Sequence, residues 1–417
     1  MRSELPDRGA WPFVPDRWLM LSVLFAARTS IAYQFQTIAS AGPLLVDSLA
    51  IDFAHLGTLI GLYMLPGIVF ALPGGALGQR LGTKRGVLIG LGLMMAGGML
   101  TAANSFLLVA SGRVVSGSGA VVLNVLMTKM VMDWFAGREI VPAMAVFVTS
   151  WPFGLAIGIV TLPTLAIAHG WGAAMYAAVL VSLCSFALVA RIYREPQASA
   201  VATSNLHINL SGREWLLVLL AGLIWATYNA GYIVLVSFLP ELFRSRGYSL
   251  SEANHIVSLL GWVVMLSVAL AGYLAAWIER PNLLMLVGFA VVALAAAALP
   301  FTGNPILVFA IIVLAIGLPA GLIMALAAEA LLAENRAAGM GAYYMCYYTG
   351  MALLPAAAGV ARDISGSVSA PALFASAMMI AAILGLLSFR WAQRLSMLSA
   401  NSSRSPIPLT VKTRIRL

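Results

Sequence analysis

The sequence predicts an all-α polytopic membrane protein with twelve transmembrane helices in two parallel six-helix halves. Three observations predict it: composition, the length of the apolar runs, and an internal repeat. Hydrophobic residues make up 61% of the 417 residues and charged residues only 9%, against about 25% charged in soluble domains. The chain breaks repeatedly into apolar stretches long enough for a bilayer, which takes roughly 20 helical residues. The stretch FAHLGTLIGLYM from Phe53 recurs 200 residues later as ANHIVSLLGWVV from Ala253, with His55 and Gly61 falling on His255 and Gly261. Asn104, Leu107, Ala110, Gly117 and Ala120 recur at the same offset as Asn304, Leu307, Ala310, Gly317 and Ala320. An even number of spans per copy keeps the copies in one orientation, related by an axis along the membrane normal.

Residues 1–17 mix both charge signs without an apolar core, so they read as a cytoplasmic N-terminus and not a cleavable signal. The N-terminal half, residues 18–190, holds spans near Trp18–Ala39, Leu56–Leu77, Val87–Ala103, Ser105–Met127, Val141–Ala168 and Ala173–Ala190. The polar stretch 191–214 is a cytoplasmic linker. The C-terminal half, residues 215–391, holds spans near Trp215–Leu239, His255–Ile278, Leu283–Pro300, Pro305–Ala328, Ala338–Val360 and Pro371–Leu387, followed by a basic cytoplasmic tail at 392–417.

The net charge of +9 does not point to nucleic acid, because the basic residues sit in short connections between apolar runs. With the N-terminus inside, nineteen of the twenty-four Lys and Arg fall on the cytoplasmic side, and three, Arg244, Arg246 and Arg362, fall outside. Both termini are therefore expected in the cytoplasm, with the chain integral to a plasma (inner) membrane. The other two, Arg28 and Arg113, lie within spans. Cys184 and Cys346 fall in apolar runs, and neither they nor the four scattered histidines give a metal spacing or a catalytic constellation. No enzyme activity and no cofactor are expected.

Three local signatures carry a family resemblance. Between spans two and three stands GGALGQRLGTKRG, from Gly74 to Gly86. Span four contains GRVVSGSGA, with Arg113, Gly117 and Gly119; span five contains SWPFGLAIG, with Pro152, Gly154 and Gly158. Together they resemble the major facilitator superfamily of transporters, over nearly the whole chain. The loop is similar to the family's pattern of Gly, Asp-Arg, Gly and a basic pair at Gly75, Arg80, Gly82 and Lys84, with Gln79 where an Asp is expected. The resemblance implies the major facilitator fold and a gating loop built from these five residues, with the Asp's charge contacts in doubt at Gln79. A plain surface turn anchored on the inner leaflet is the alternative. A first-span arginine followed by Gly42 to Leu45 also resembles the cyanate and nitroimidazole transporters of that superfamily.

A charge at mid-bilayer costs about 2.5–3.5 kcal/mol on insertion scales, so Arg28 and Arg113 need a reason. At 100° per residue, Arg28, Thr29, Tyr33, Gln36 and Ser40 share one arc, and Arg113, Gly117, Asn124 and Thr128 follow one face of span four. The resemblance implies that spans one and four both border a central cavity. No acidic residue lies at that depth, so the guanidiniums need an anionic cargo or many carbonyls; a structural role bonded to backbone is the alternative for Arg113. Span seven presents Trp225, Tyr228, Asn229 and Tyr232 on one face, and span eleven presents Tyr344, Tyr347, Tyr348 and Met351. Aromatic packing is the plainer explanation of such stripes, a wet cavity the functional one.

The expected function is a secondary active transporter moving a small organic or inorganic anion by alternating access. Expected substrate-binding residues are Arg28, Tyr33, Gln36, Arg113, Asn124, Tyr228, Asn229, Tyr232, Tyr344, Tyr347 and Tyr348. The partners are then a small anionic solute and the lipid bilayer, with the chain acting as a monomer. Proton-coupled drug or metabolite efflux is the rival reading, weakened by the lack of a membrane carboxylate in the N-terminal half.

Overall fold

In a computed structural model of the chain, residues 16–70, 82–135, 139–195, 210–278, 280–332 and 335–402 are described. Among them every regular element is an α-helix. The first eight are α1 (Asp16–Ser40), α2 (Gly42–Leu49), α3 (Phe53–Leu62), α4 (Pro66–Phe70), α5 (Thr83–Thr101), α6 (Phe106–Trp134), α7 (Ile140–His169) and α8 (Trp171–Arg191). The rest are α9 (Gly212–Ser245), α10 (Leu250–Ile278), α11 (Pro281–Ala298), α12 (Pro305–Ala315), α13 (Ala320–Ala330), α14 (Arg336–Ser365) and α15 (Ala370–Ser402). Nine helical stretches among the described residues are long and apolar enough to cross a membrane. Helices α1, α5 and α14 have spanning length, at 25, 19 and 30 residues. Arg28 and two glutamines dilute α1, a basic pair and glycines dilute α5, and tyrosines dilute α14.

Helix ends reach beyond the expected spans because hydropathy finds the apolar middle and not the caps. Helix α9 begins at a capping box in which Ser211 Oγ accepts from Glu214 N and a Glu214 carboxylate oxygen accepts from Ser211 N at 2.9 Å. The expected spans two and ten are each interrupted. Pro66 and Pro319 have no N–H to continue a helical ladder, so α3 gives way to α4 and α12 gives way to α13.

Helix α1 packs on α7 and α8, α5 on α6 and α8, α9 on α14 and α15, and α11 on α15. Two further pairs, α3 with α14 and α7 with α10, join these groups. Small residues allow both joins. A Cβ on Gly61 would stand 2.0 Å from the Ala352 carbonyl oxygen of α14, and one on Gly261 would stand 2.7 Å from Ala156 Cβ of α7. The repeat thus places its matched glycines at matched joins. Its second glycine pair behaves alike: Gly117 abuts the Tyr63 carbonyl just beyond α3, and Gly317 abuts Ser267 of α10.

The α3–α14 join is closed at its end by a carboxylate. Asp363 accepts hydrogen bonds from the backbone N–H of Phe53 (3.2 Å) and Ala54 (2.7 Å), and Asp52 accepts from His55 N–H (2.7 Å). Three of the four orphan donors at the α3 N-terminus are thereby satisfied, and the negative charges meet the positive end of the helix dipole. Beside them Arg362 bonds Glu241 at 2.8 Å and lies 4.8 Å over the Phe53 ring.

Arg113 is fully buried in this framework. Its Nε donates to the Leu59 carbonyl (2.9 Å), Nη1 to Gln34 (3.1 Å) and Nη2 to Phe35 (3.2 Å). The Tyr63 ring lies 4.5 Å from its Cζ. The residue expected as a second anchor for cargo instead bolts α6 to α1 and α3, with no nitrogen left over. Backbone carbonyls, and not an anion, are its counter-charge.

Arg113→Ala would remove three buried hydrogen bonds from a charged donor, about 1.5–3 kcal/mol each, and leave a cavity between α6, α1 and α3. The expected result is poor yield or a thermal unfolding midpoint many degrees below that of the parent in detergent. Gly61→Ala overpacks the α3–α14 join, an effect of about 1–3 kcal/mol. Gly92→Ala, where a Cβ meets nothing within 4 Å, gains about 0.5–1 kcal/mol of helix propensity instead. Thermal unfolding of the two variants should move in opposite directions.

Candidate functional site

A cavity of about 280 Å³ lies between α1, α6 and α7 on one side and α9, α13 and α14 on the other. It runs from Ile31, Tyr63 and Trp151 down to Thr128 and Met144, away from the Asp363 closure. Among the described residues that line it, Arg28 is the only lysine or arginine.

A proline explains how Arg28 is held. In α7 the Val148 carbonyl would normally accept from residue 152, but Pro152 has no N–H. Arg28 Nη1 donates to that orphan carbonyl at 3.0 Å, to the Phe147 carbonyl at 3.0 Å and to Ser150 Oγ at 3.2 Å. Nε donates to Asn124 Oδ1 of α6 at 3.1 Å, and the Phe147 ring lies 4.8 Å from Cζ. Nη2 has no protein partner among the described residues. No described carboxylate lies within 4.0 Å of the guanidinium. The arrangement presents one oriented cationic donor to a low-dielectric cavity.

The facing wall is aromatic. Tyr344, Tyr347 and Tyr348 share a face of α14 at i, i+3 and i+4, and all three line the cavity with Arg28. Their rings lie within 5.1–6.5 Å of one another, and the Trp225 ring lies 6.1 Å from that of Tyr347. Asn229 donates to the Trp225 carbonyl at 2.8 Å and lines the cavity.

Of the expected site residues, Arg28, Asn124, Asn229, Tyr344, Tyr347 and Tyr348 line this cavity together. Arg113, Tyr33, Gln36, Tyr228 and Tyr232 do not. Tyr33 pairs with Thr161 Oγ1 of α7 at 3.0 Å, and Gln36 donates to Ser40 at 3.2 Å. Tyr228 donates at 2.6 Å to the Ile316 carbonyl at the α12–α13 break, and Tyr232 is buried. Four lining aromatics lay outside the expected set: Tyr63, Phe147, Trp151 and Trp225. The i, i+4 spacing of Phe147 and Trp151 around Pro152 was the available signal.

In the expected gating loop, Gly75, Gln79 and Arg80 lie outside the described residues. Gly82 has φ +80°, a conformation that favours glycine. Lys84 Nζ donates to the Ala190 (3.0 Å) and Tyr193 (2.7 Å) carbonyls at the end of α8, while its N–H donates to Glu195 (3.0 Å). These two residues start α5 and dock it on α8.

A family model described as Major Facilitator Superfamily matches residues 24–355. Among solved structures, the crystal structure of the nucleoside transporter NupG resembles the chain with a TM-score of 0.69 at 14% identity. That match covers 90% of this chain and 99% of the other, and at such identity it is a likeness of fold. No curated protein matches in sequence. With the family model running from within α1 into α14, the chain belongs to the Major Facilitator Superfamily.

Proposed function

We propose that the chain is a secondary active transporter for a small organic or inorganic anion, with Arg28 as the charge anchor. Its twelve spans form two parallel halves, residues 18–190 and 215–391, that alternate access around the Arg28 cavity. Both termini face the cytoplasm of a plasma (inner) membrane. The observation that carries the reading is the Arg28 Nη2 group, which has no protein partner among the described residues on a side chain that lines the cavity, with no described carboxylate within 4.0 Å. Protein acceptors hold that guanidinium in place without neutralising it, and an anion would do so on binding. The matched glycine joins support the two-copy architecture. Packing between α3 and α14 supports a state closed at the Asp363 end, with the cavity reached from the other end.

A nucleoside-like cargo is the second reading, favoured by the aromatic wall, the Asn124 and Asn229 side chains, and the fold of the nucleoside transporter. Proton-coupled efflux of a cationic drug fits the Arg28 cavity less well, since the anchor would repel the cargo.

Uptake by reconstituted protein in proteoliposomes, over a panel of anions and uridine, tests the anchor. A hydrogen bond to a charged group contributes about 1.5–3 kcal/mol, so Arg28→Ala should weaken anion uptake about 10-fold to 100-fold. Arg28→Lys should retain part of it, as a point charge without the fork. Anion uptake that is unchanged in Arg28→Ala overturns the reading; uridine uptake that is insensitive to it favours the second.

A further inference from the structure

We propose that the cargo is a flat aromatic or heteroaromatic ring bearing a single negative charge, such as an aromatic monocarboxylate. The proposal rests on the anion reading of the same cavity and narrows it by two constraints, one on charge and one on shape.

The charge constraint comes from counting donors. The two N–H groups of Nη1 are shared among three acceptors, and Nε is bonded to Asn124. Among the described residues, only Nη2 lacks a protein partner, and no second lysine or arginine lines the cavity. Arg113, the one other guanidinium among the spans, is enclosed by three carbonyls. One positive charge neutralises one negative charge. A dianion would bring an uncompensated charge into a low-dielectric space, at a desolvation penalty that nothing here offsets. A single nitrogen also cannot form the two-nitrogen fork with which arginine grips oxyanions tightly, so charge alone holds a small inorganic ion weakly.

The shape constraint comes from the walls. Phe147 and Trp151 stand on the Arg28 side, and Trp225, Tyr344 and Tyr347 stand opposite. The opposing rings brace one another: Trp225 packs on Tyr228 at 5.8 Å and on Tyr347 at 6.1 Å, and Tyr344 packs on Tyr347 at 6.4 Å. Preformed aromatic walls favour offset or edge contacts with another ring over contacts with an aliphatic chain. The volume, about 280 Å³, sits at the small end of ligand pockets. Asn229 and the three tyrosines of α14 line the same space and bring polar groups to it.

The test is calorimetric titration of the purified full-length protein with probes that separate the constraints. Benzoate and nicotinate carry both features. Cyclohexanecarboxylate keeps size and charge without the π face, acetate and sulfate lack the ring, phthalate adds a charge, and benzamide and uridine remove it. The expected result is benzoate and nicotinate at least about tenfold tighter than cyclohexanecarboxylate, acetate, sulfate and phthalate. Trp225→Leu should narrow the gap between benzoate and cyclohexanecarboxylate, and Tyr347→Leu provides the same reading should that variant not fold. Equal affinity for benzoate and cyclohexanecarboxylate, or tighter sulfate or phthalate, overturns this proposal; sensitivity of those anions to Arg28→Gln then leaves the anion reading standing. Benzamide or uridine binding as tightly as benzoate, unaffected by Arg28→Gln, overturns both. Failure of benzoate and nicotinate to bind at all overturns the proposal.

Discussion

Backbone carbonyls are the only abundant counter-charge inside a helical membrane protein, and two guanidiniums compete for them here. Every helix carbonyl is already engaged by the N–H four residues later, apart from those near ends, breaks and prolines. Arg113 finds three that accept a second bond, one on α3 and two on α1, and they exhaust its three nitrogens. Arg28 finds one orphaned by Pro152, a second one residue earlier, and two side chains, and these engage only two of its nitrogens. The difference between the two guanidiniums is therefore one nitrogen without a protein partner among the described residues. It arises from the position of a proline on a third helix.

The closed end of the molecule answers to the same accounting of polar groups. At the α3 N-terminus, Asp52 and Asp363 meet the free N–H groups, and glycines allow α3 and α14 to touch backbone to backbone. The closure is not uniformly favourable. Gln36 Oε1, Tyr232 OH and Ser237 Oγ are buried without a hydrogen-bond partner among the described residues, and each such group costs about 1–3 kcal/mol. Water entering from that end would relieve those groups, while the aspartate cap and the close helix contact would be lost. A carrier that must visit two states needs such opposed terms of similar size.

Much of this was legible in the chain. The apolar runs mark the helices that line the cavity, and the 200-residue offset pairs Gly61 with Gly261 and Gly117 with Gly317, all four at close helix contacts. The polar arc of α1 carries Arg28, which lines the same cavity as Tyr344 of α14. Helical periodicity assigns residues to a face, however, and does not say which neighbour covers it. Tyr33 and Gln36 share the arc of Arg28 yet meet Thr161 and Ser40 rather than the cavity. Trp151 of α7 and Tyr63, just beyond α3, also line the cavity, a fact of packing that no local pattern encodes.

The asymmetry of the cavity bears on coupling. Its charge is held by α1, α6 and α7, whereas the braced aromatic wall belongs to α9 and α14. A solute that satisfies only one wall gains nothing from bringing the two together. One that neutralises Arg28 and packs on Trp225 and Tyr347 lowers the energy of the approach itself, since both contacts are complete only when the walls meet. A ligand shifts an equilibrium only by its differential affinity for the two states. Dividing charge and stacking between opposite walls is a direct way to create that difference, and it penalises any solute that carries one feature without the other.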